Sequence, residues 1–359
     1  MSPSPRAPAR DFSFEGGRVF VIAEAGSNWR MGTVKRDLQM ARALIDVATE
    51  SGADAVKFQT YRARTVYAPN AGSSHYLAEA GIHDPIHQIF EDLSMPYEMV
   101  AELAAYCRKT GIGFMSTAFS TADFAAIDPF VAVHKIASYE ISHLRLIECA
   151  AGSGKPLILS TGASTEGDIQ WAVDHFRARS SAALCLMQCT ARYPAPLESL
   201  HLRVIPWLRD RFEVIAGLSD HSRSPIIGPV VAVALGARVI EKHFTLHNRL
   251  PGPDHGFALS PTDLSEMIRV VRQAELALGS GDKVVLPEED ELARFARRGI
   301  QALREISAGE ELHEDDNVAI LRPGERILGA HPRILPEIEG KVATRTIPAG
   351  EGLQPGDWK

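Results

Sequence analysis

Eight short β-branched apolar runs alternate with longer helix-patterned stretches along this chain, and no other feature narrows its fold as much. The runs are RVFVIAEAG (18–26), ADAVKFQT (53–60), IGFMSTAF (112–119), AVHKIASY (132–139), PLILSTG (156–162), ALCLMQCT (183–190), VIAGLSDH (214–221) and RVIEKHFT (238–245). Near-continuous apolar runs of this length suit strands covered on both faces. Between them, stretches such as VKRDLQMARALIDVATESG, PYEMVAELAAYCRKTG and PIIGPVVAVALG carry helical apolar spacing and end in Gly, which closes helices readily. Such alternation builds βαβ units on a parallel sheet, and eight repeats predict a closed (β/α)8 TIM barrel, an α/β fold.

A barrel of this kind takes about 250 residues, and the chain has 359. After the eighth run, SPTDLSEMIRVVRQAELALG offers Ser260 as a cap and Pro261 as a first-turn residue for the last barrel helix. The expected organisation is a tail over 1–17, the barrel over 18–281, a charged, partly helical linker over 282–298, and a small β-rich domain over 299–359. In that last segment IQALREI, NVAILRP and KVATRTI are separated by AGEEL, RPGER and AGEGL turns.

The chain is 45% hydrophobic and 23% charged, ordinary usage for a protein with a sizeable core. Its formal charge is −7 with basic residues scattered among acidic ones, so nucleic acid is not an expected partner. No apolar stretch reaches the length of a membrane span, and the opening MSPSPRAPARD is polar and Pro-rich rather than a signal peptide. Cys107, Cys149, Cys185 and Cys189 form no CxxC pair and read as reduced, mostly buried thiols. A cytoplasmic protein that does not engage a membrane is expected.

Barrel enzymes take their reactive groups from the C-terminal ends of the strands. Here the runs end in Glu24, Lys57 with Gln59, Ser116 with Thr117, Lys135 with Ser138, Ser160, Gln188, Asp220 with His221, and Lys242 with His243. His221 and His243 close successive runs and are expected to bind one divalent cation, leaving positions for water and a substrate oxygen, with Asp220 orienting an imidazole. Lys57, Lys135 and Lys242 at one mouth would repel each other unless an anion neutralises them. Ser138, Ser160 and the STGAS backbone add donors, while salt bridges to Glu24, Glu140 and Glu241 are an alternative use of the lysines that can coexist with a site. Glu24 is placed to orient or deprotonate water, or to assist an aldehyde. Asp254 and His255 lie in a Gly/Pro loop that shapes the cleft, where Asp254 could hold sugar hydroxyls.

At these residues the chain resembles the sialic acid synthase family, which includes N-acetylneuraminate, legionaminate and pseudaminate synthases. The resemblance runs over residues 18 to 359 through VIAEAGSN, GADAVKFQT, HKIASYE, KPLILSTGAS, CTARYPAP, GLSDHS, GARVIEKHFT, GPDH and LRPGERILG. It implies a metal-dependent transferase that condenses phosphoenolpyruvate with an open-chain N-acyl hexosamine to give a nonulosonic acid and phosphate. His221 and His243 match ligands of Mn2+ or Mg2+, and Lys57, Lys135, Ser138 and Ser160 match phosphoenolpyruvate contacts. Glu24, Gln59, Glu140, Tyr193 and Asp254 match the sugar-handling face, with Lys242 as a further substrate-binding cation. Glu24, Lys57, Lys135 and Tyr193 are the groups expected nearest the chemistry. The C-terminal segment matches an antifreeze-like (SAF) domain, whose Arg322 would reach the partner's barrel in a domain-swapped homodimer.

Three positions depart from the family pattern: Trp29 follows Asn28 where His is common, Ala191 stands where Ser or Asn is frequent, and Gly299 replaces a usual Ser. The first is expected to bear on sugar selection, the second to remove a phosphoenolpyruvate contact. The acceptor itself is expected to be read by residues 64–92, with Tyr67, Asn70, His75, Tyr76 and His83. Two other readings are a different phosphoenolpyruvate–aldose condensation, which would need extra basic residues for an acceptor phosphate, and a noncatalytic carbohydrate- or ice-binding protein.

Overall fold

The computed structural model describes residues 17–73, 77, 78 and 81–359; the tail before residue 17 and the loop positions His75 and Tyr76 lie outside the described residues. Strands β1 (Phe20–Gly26), β2 (Ala55–Thr60), β3 (Gly113–Ala118), β4 (His134–Ile136), β5 (Leu157–Ser160), β6 (Leu184–Cys189), β7 (Ile215–Asp220) and β8 (Val239–His243) close a parallel barrel in chain order. Each strand falls inside one of the eight apolar runs.

Helices cover the barrel because each turns one apolar stripe toward it. Helix Val34–Glu50, for example, buries Met40, Ala41, Leu44, Ile45 and Ala48. Helix Tyr97–Thr110 stops at Gly111, whose φ of +82° is a left-handed conformation that a side chain would resist. Helix Pro261–Leu278 starts on a reciprocal cap between Ser260 and Asp263, as its sequence predicts.

Strand residues alternate between two cores. One interior cluster draws on every strand region, with Ile22, Ala55, Met115, Val133, Ile158, Cys185, Met187 and Val239 buried and Ile215 against them. The alternate residues, among them Ala23, Phe58, Phe114, Leu159, Leu186, Leu218 and Ile240, join the helices in a larger outer core. Burying one such side chain stabilises the fold by roughly 1.5–3 kcal/mol, so a one-residue slip of any strand is strongly disfavoured. This fixed alternation decides which polar residues at the strand ends reach the inside of the barrel.

The chain divides into two compact units, one ending at Gly279 and one running from Ser280 to Lys359. In the second, antiparallel strands β9 (Gly299–Ala302) and β10 (Val318–Leu321) pack with Ile306, Leu312, Leu335, Ile338, Ala343, Ile347 and Leu353. The expected third extended piece contributes isolated bridges, Ile306 to Ile347, Glu311 to Val342 and Ala343 to Trp358, rather than a strand. Gly299 has a steric reason: a Cβ there would sit 2.6 Å from the Gly329 carbonyl oxygen, too close for the Ser that is usual. All four cysteines are free thiols, three of them buried. No helix among the described residues is long and apolar enough to cross a membrane.

Candidate active site

The residues that share the inward parity at the strand ends are Glu24, Lys57, Gln59, Thr117, Lys135, Ser160, Cys189, Glu241 and His243, with His221 directly beyond β7. Lys57 Nζ lies 2.7 Å from Glu24 Oε2, donates to Thr117 Oγ1 at 2.9 Å, and stands 3.5 Å from Glu241 Oε1. Lys135 Nζ donates to Ser160 Oγ at 2.7 Å and stands 3.8 Å from the same Glu241 oxygen. Gln59 donates to the other oxygen of Glu24 at 2.9 Å. The salt bridges to Glu24 and Glu241 therefore exist alongside the lysine–hydroxyl pairs.

Burial sets the electrostatics. It raises Glu24 to about 7 despite Lys57, and the nearby charge of Glu241 adds to the effect. For Glu241, burial is outweighed by Lys135 and then Lys57, which hold it below the usual carboxylate range. Burial also works against the Lys57 charge, but Glu24 and Glu241 prevail and keep it cationic. Lys135 is pushed down by burial, and Glu140 is pushed up to about 7 by the same cause.

His221 and His243 are buried side by side, their ring centroids 5.4 Å apart. His221 Nδ1 lies 2.9 Å from the Thr190 carbonyl oxygen. A carbonyl only accepts, so Nδ1 carries a proton and Nε2 is the nitrogen left for a ligand. Burial works against a charge on His221, but Cys189, the Thr190 carbonyl and Asp220 outweigh it and raise its pKa. His243 Nδ1 is buried without a hydrogen-bond partner, and burial followed by His221 pushes its pKa well below the ordinary value. Two adjacent buried imidazoles suit a divalent transition metal, which on binding would displace any proton held at His221 Nε2. Among the described residues no three His, Cys, Asp or Glu side chains converge as ligands, so this chain offers two donors and leaves the remaining positions to water or substrate.

Around this pair, Tyr193 stacks obliquely on His221 at 4.1 Å and Phe257 approaches His243 at 5.0 Å. Asp254 accepts from the Ser27 hydroxyl at 3.2 Å and lies 3.8 Å from His243 Nδ1. A Cβ on Gly26, whose φ is +51°, would meet Asp254 at 2.7 Å, so glycine lets the loop close over β1. Ser138 Oγ accepts the Gly162 backbone N–H at 3.0 Å, which joins the STGAS turn to the Lys135 side of the cleft.

Several expectations need correction. Lys242 does not reach the cleft: by parity it faces outward and pairs with Asp220 Oδ2 at 2.6 Å. Only two lysines therefore share the mouth, and each already faces a carboxylate, so repulsion among three ammonium groups is not what calls for an anion. Asp220 likewise makes no direct hydrogen bond to an imidazole: the Nδ1 partner of His221 is the Thr190 carbonyl. Ser116 and Gln188 also point outward, to Thr60 and to the Leu200 carbonyl. Trp29 is 2% exposed and packs within the outer core, its Nε1 buried without a hydrogen-bond partner. Arg322 is exposed on the turn after β10.

Glu241, expected only as an ion-pair partner, shares the inner face between Lys57 and Lys135. Counting by twos from Val239 would have placed it inside. In the 64–92 segment, Arg64, Tyr67, Asn70 and His87 help line a cavity of about 370 Å3, while His83 is exposed. A larger cavity of about 480 Å3, bordered by Glu198, His201, Arg203 and Trp207, contains none of the strand-end groups.

The NeuB family profile matches residues 44–283 and the SAF domain profile matches residues 297–357. The chain is 40% identical to the spore coat polysaccharide biosynthesis protein SpsE of Bacillus subtilis, covering 93% of this chain and 92% of that protein. It is 34% identical to pseudaminic acid synthase of Campylobacter jejuni, covering 95% and 97%. The crystal structure of N-acetylneuraminic acid synthetase from Leptospira borgpetersenii superposes with a TM-score of 0.67 at 30% identity, over 77% of this chain and 90% of that one.

Proposed function

The chain belongs to the NeuB family, and from that premise we propose that it condenses phosphoenolpyruvate with an open-chain N-acyl hexosamine, giving a nonulosonic acid and inorganic phosphate. One observation carries the reading. Two lysine–hydroxyl pairs, Lys57 with Thr117 and Lys135 with Ser160, share the inner face of the strand ends with the His221–His243 pair. A SAF domain following the barrel in the chain further favours this reaction over the other phosphoenolpyruvate–aldose condensations, whose barrels lack that tail. The barrel over 18–281 is the catalytic part, 282–298 the linker and 299–359 the SAF domain.

His221 and His243 would hold Mn2+ or Mg2+, which when bound supplies Lewis acidity toward the aldehyde oxygen. Lys57, Lys135, Ser138 and Ser160 hold phosphoenolpyruvate by charge-assisted hydrogen bonds. As the anion enters, its charge favours the protonated form of Glu24, already raised to about 7. C3 of phosphoenolpyruvate attacks the aldehyde carbon while Glu24 gives its proton to the aldehyde oxygen. The carboxylate then takes a proton from the water that adds at C2, and the tetrahedral adduct loses phosphate by C–O cleavage. Gln59 and Lys57 hold Glu24 in place for both transfers. Tyr193, Glu140 and Asp254 flank the acceptor, and the buried, raised carboxyls of the latter two suit hydrogen bonds to hydroxyl and amide groups.

In the C-terminal unit, Val284, Val285, Leu286, Leu292 and Phe295 are exposed apolar side chains, the kind of surface that subunit contacts cover. We read the enzyme as a domain-swapped homodimer whose Arg322 serves the partner's barrel, working in the cytoplasm. Incubation with phosphoenolpyruvate, Mn2+ and a panel of N-acyl hexosamines should release phosphate only when an acceptor is present. His221→Ala should lower that release about a thousandfold, as expected for losing several kcal/mol of electrophilic assistance. Absence of release across the whole panel would sink the assignment.

A further inference from the structure

Asp220 and Lys242 stand in register across β7 and β8, each one residue before a histidine of the pair. Both face away from the cleft and neither is more than 2% exposed. Lys242 Nζ lies 2.6 Å from Asp220 Oδ2 and donates to the Ser222 carbonyl oxygen at 2.6 Å and to Ser222 Oγ at 3.2 Å. Asp220 in turn accepts the Ser222 N–H at 2.7 Å and its hydroxyl at 3.1 Å. The residues on both sides of His221 are thus gripped by the residue that precedes His243. We propose that Asp220 and Lys242 are positioning residues that set the spacing and mutual tilt of His221 and His243, and through them the affinity of the site for a divalent cation.

The ladder explains why such a device is needed. Between β7 and β8 the registered pairs end at Asp220 and Lys242, so backbone pairing does not fix the distance one residue farther on, where the imidazoles project. The side-chain clamp supplies that tie. Helix Ile227–Ala234 closes it from behind: a Cβ on Gly228 would lie 2.5 Å from Asp220 Oδ2. A buried ion pair is weak grounds for stability compared with an apolar pair of the same shape, whereas groups behind metal ligands are worth a great deal to affinity.

This inference rests on reading the two histidines as a cation site, so the test separates the two. Mn2+ binding is measured on the full chain without substrate, from the paramagnetic resonance of the free ion. The unsubstituted chain should bind, and His243→Ala should not. Asp220→Asn and Lys242→Met should each weaken Mn2+ about 10- to 100-fold. The double variant Asp220→Asn with Lys242→Met leaves no buried charge unpaired and should fold even if the single variants do not. It should still bind at least about tenfold more weakly. Double-variant affinity equal to that of the unsubstituted chain, with only a changed Tm, would overturn the positioning role. Failure of the unsubstituted chain to bind, or unchanged binding in His243→Ala, would overturn the histidine site and this inference with it.

Discussion

The inner and outer faces of the same strand ends both carry buried polar groups, yet they are finished differently. Outside, Lys242 is met by Asp220 and Ser222, the Thr60 and Ser116 hydroxyls bond each other at 2.8 Å, and Gln188 donates to the Leu200 carbonyl. Inside, Glu241 Oε2 and His243 Nδ1 are buried without a hydrogen-bond partner, and Glu24 is raised to about 7. Buried polar atoms are normally satisfied, because an unmet one costs about 1–3 kcal/mol. Polarity at a strand end is therefore no mark of function; open valences on one face are. His134 on the outer face also leaves one nitrogen unmet, but its ring stacks on Phe124 at 4.1 Å as a neutral, largely apolar group.

The contrast can be broken with two lysines of neighbouring chemistry. Lys242→Met should destabilise the protein by about 3–5 kcal/mol, because Asp220 is left buried and unpaired. Lys135→Met should cost less stability than Lys242→Met, since Lys57 still faces Glu241, while lowering kcat/KM for phosphate release by about 10²–10³. Equal losses of stability in the two variants would erase the distinction between the faces.

A smaller effect comes from His134, which burial lowers from 6.5 to about 4 against the pull of Asp128. Between those values the folded chain binds fewer protons at this site than the unfolded chain, so stability increases with pH across the window and is lost as pH falls from 6.5 toward 4. The loss should be on the order of 2–3 kcal/mol, and His134→Phe should flatten that part of the stability profile measured by urea unfolding. An unchanged profile in the variant would show that His134 is not the group responsible. Smallest of all, Thr60→Val should cost about 1 kcal/mol by stranding the Ser116 hydroxyl, with no change in phosphate release.

Much of this was legible before any coordinates. The eight strands sit inside the eight apolar runs because strand formation here depends on local apolar patterning, and the Ser260 cap and the Gly111 stop depend on their neighbours alone. Of the anticipated site, Glu24, Lys57, Gln59, Lys135, Ser160, His221 and His243 do converge on one inner face. Strand parity, which the sequence itself contains, turns Lys242 outward and Glu241 inward, whereas residue type alone points to Lys242.

Residue order by itself determined the barrel, the family and the identity of the groups at the strand ends. Only the tertiary structure decided how they are partnered: that Glu241 lies between Lys57 and Lys135, that the Thr190 carbonyl holds His221 Nδ1, and that Lys242 turns its back on the cleft to clamp Asp220 and Ser222. The physical reason is range. Periodicity and capping act over a few neighbouring residues, whereas these partnerships cross between strands, where register and burial set both the distance and the strength of each charge.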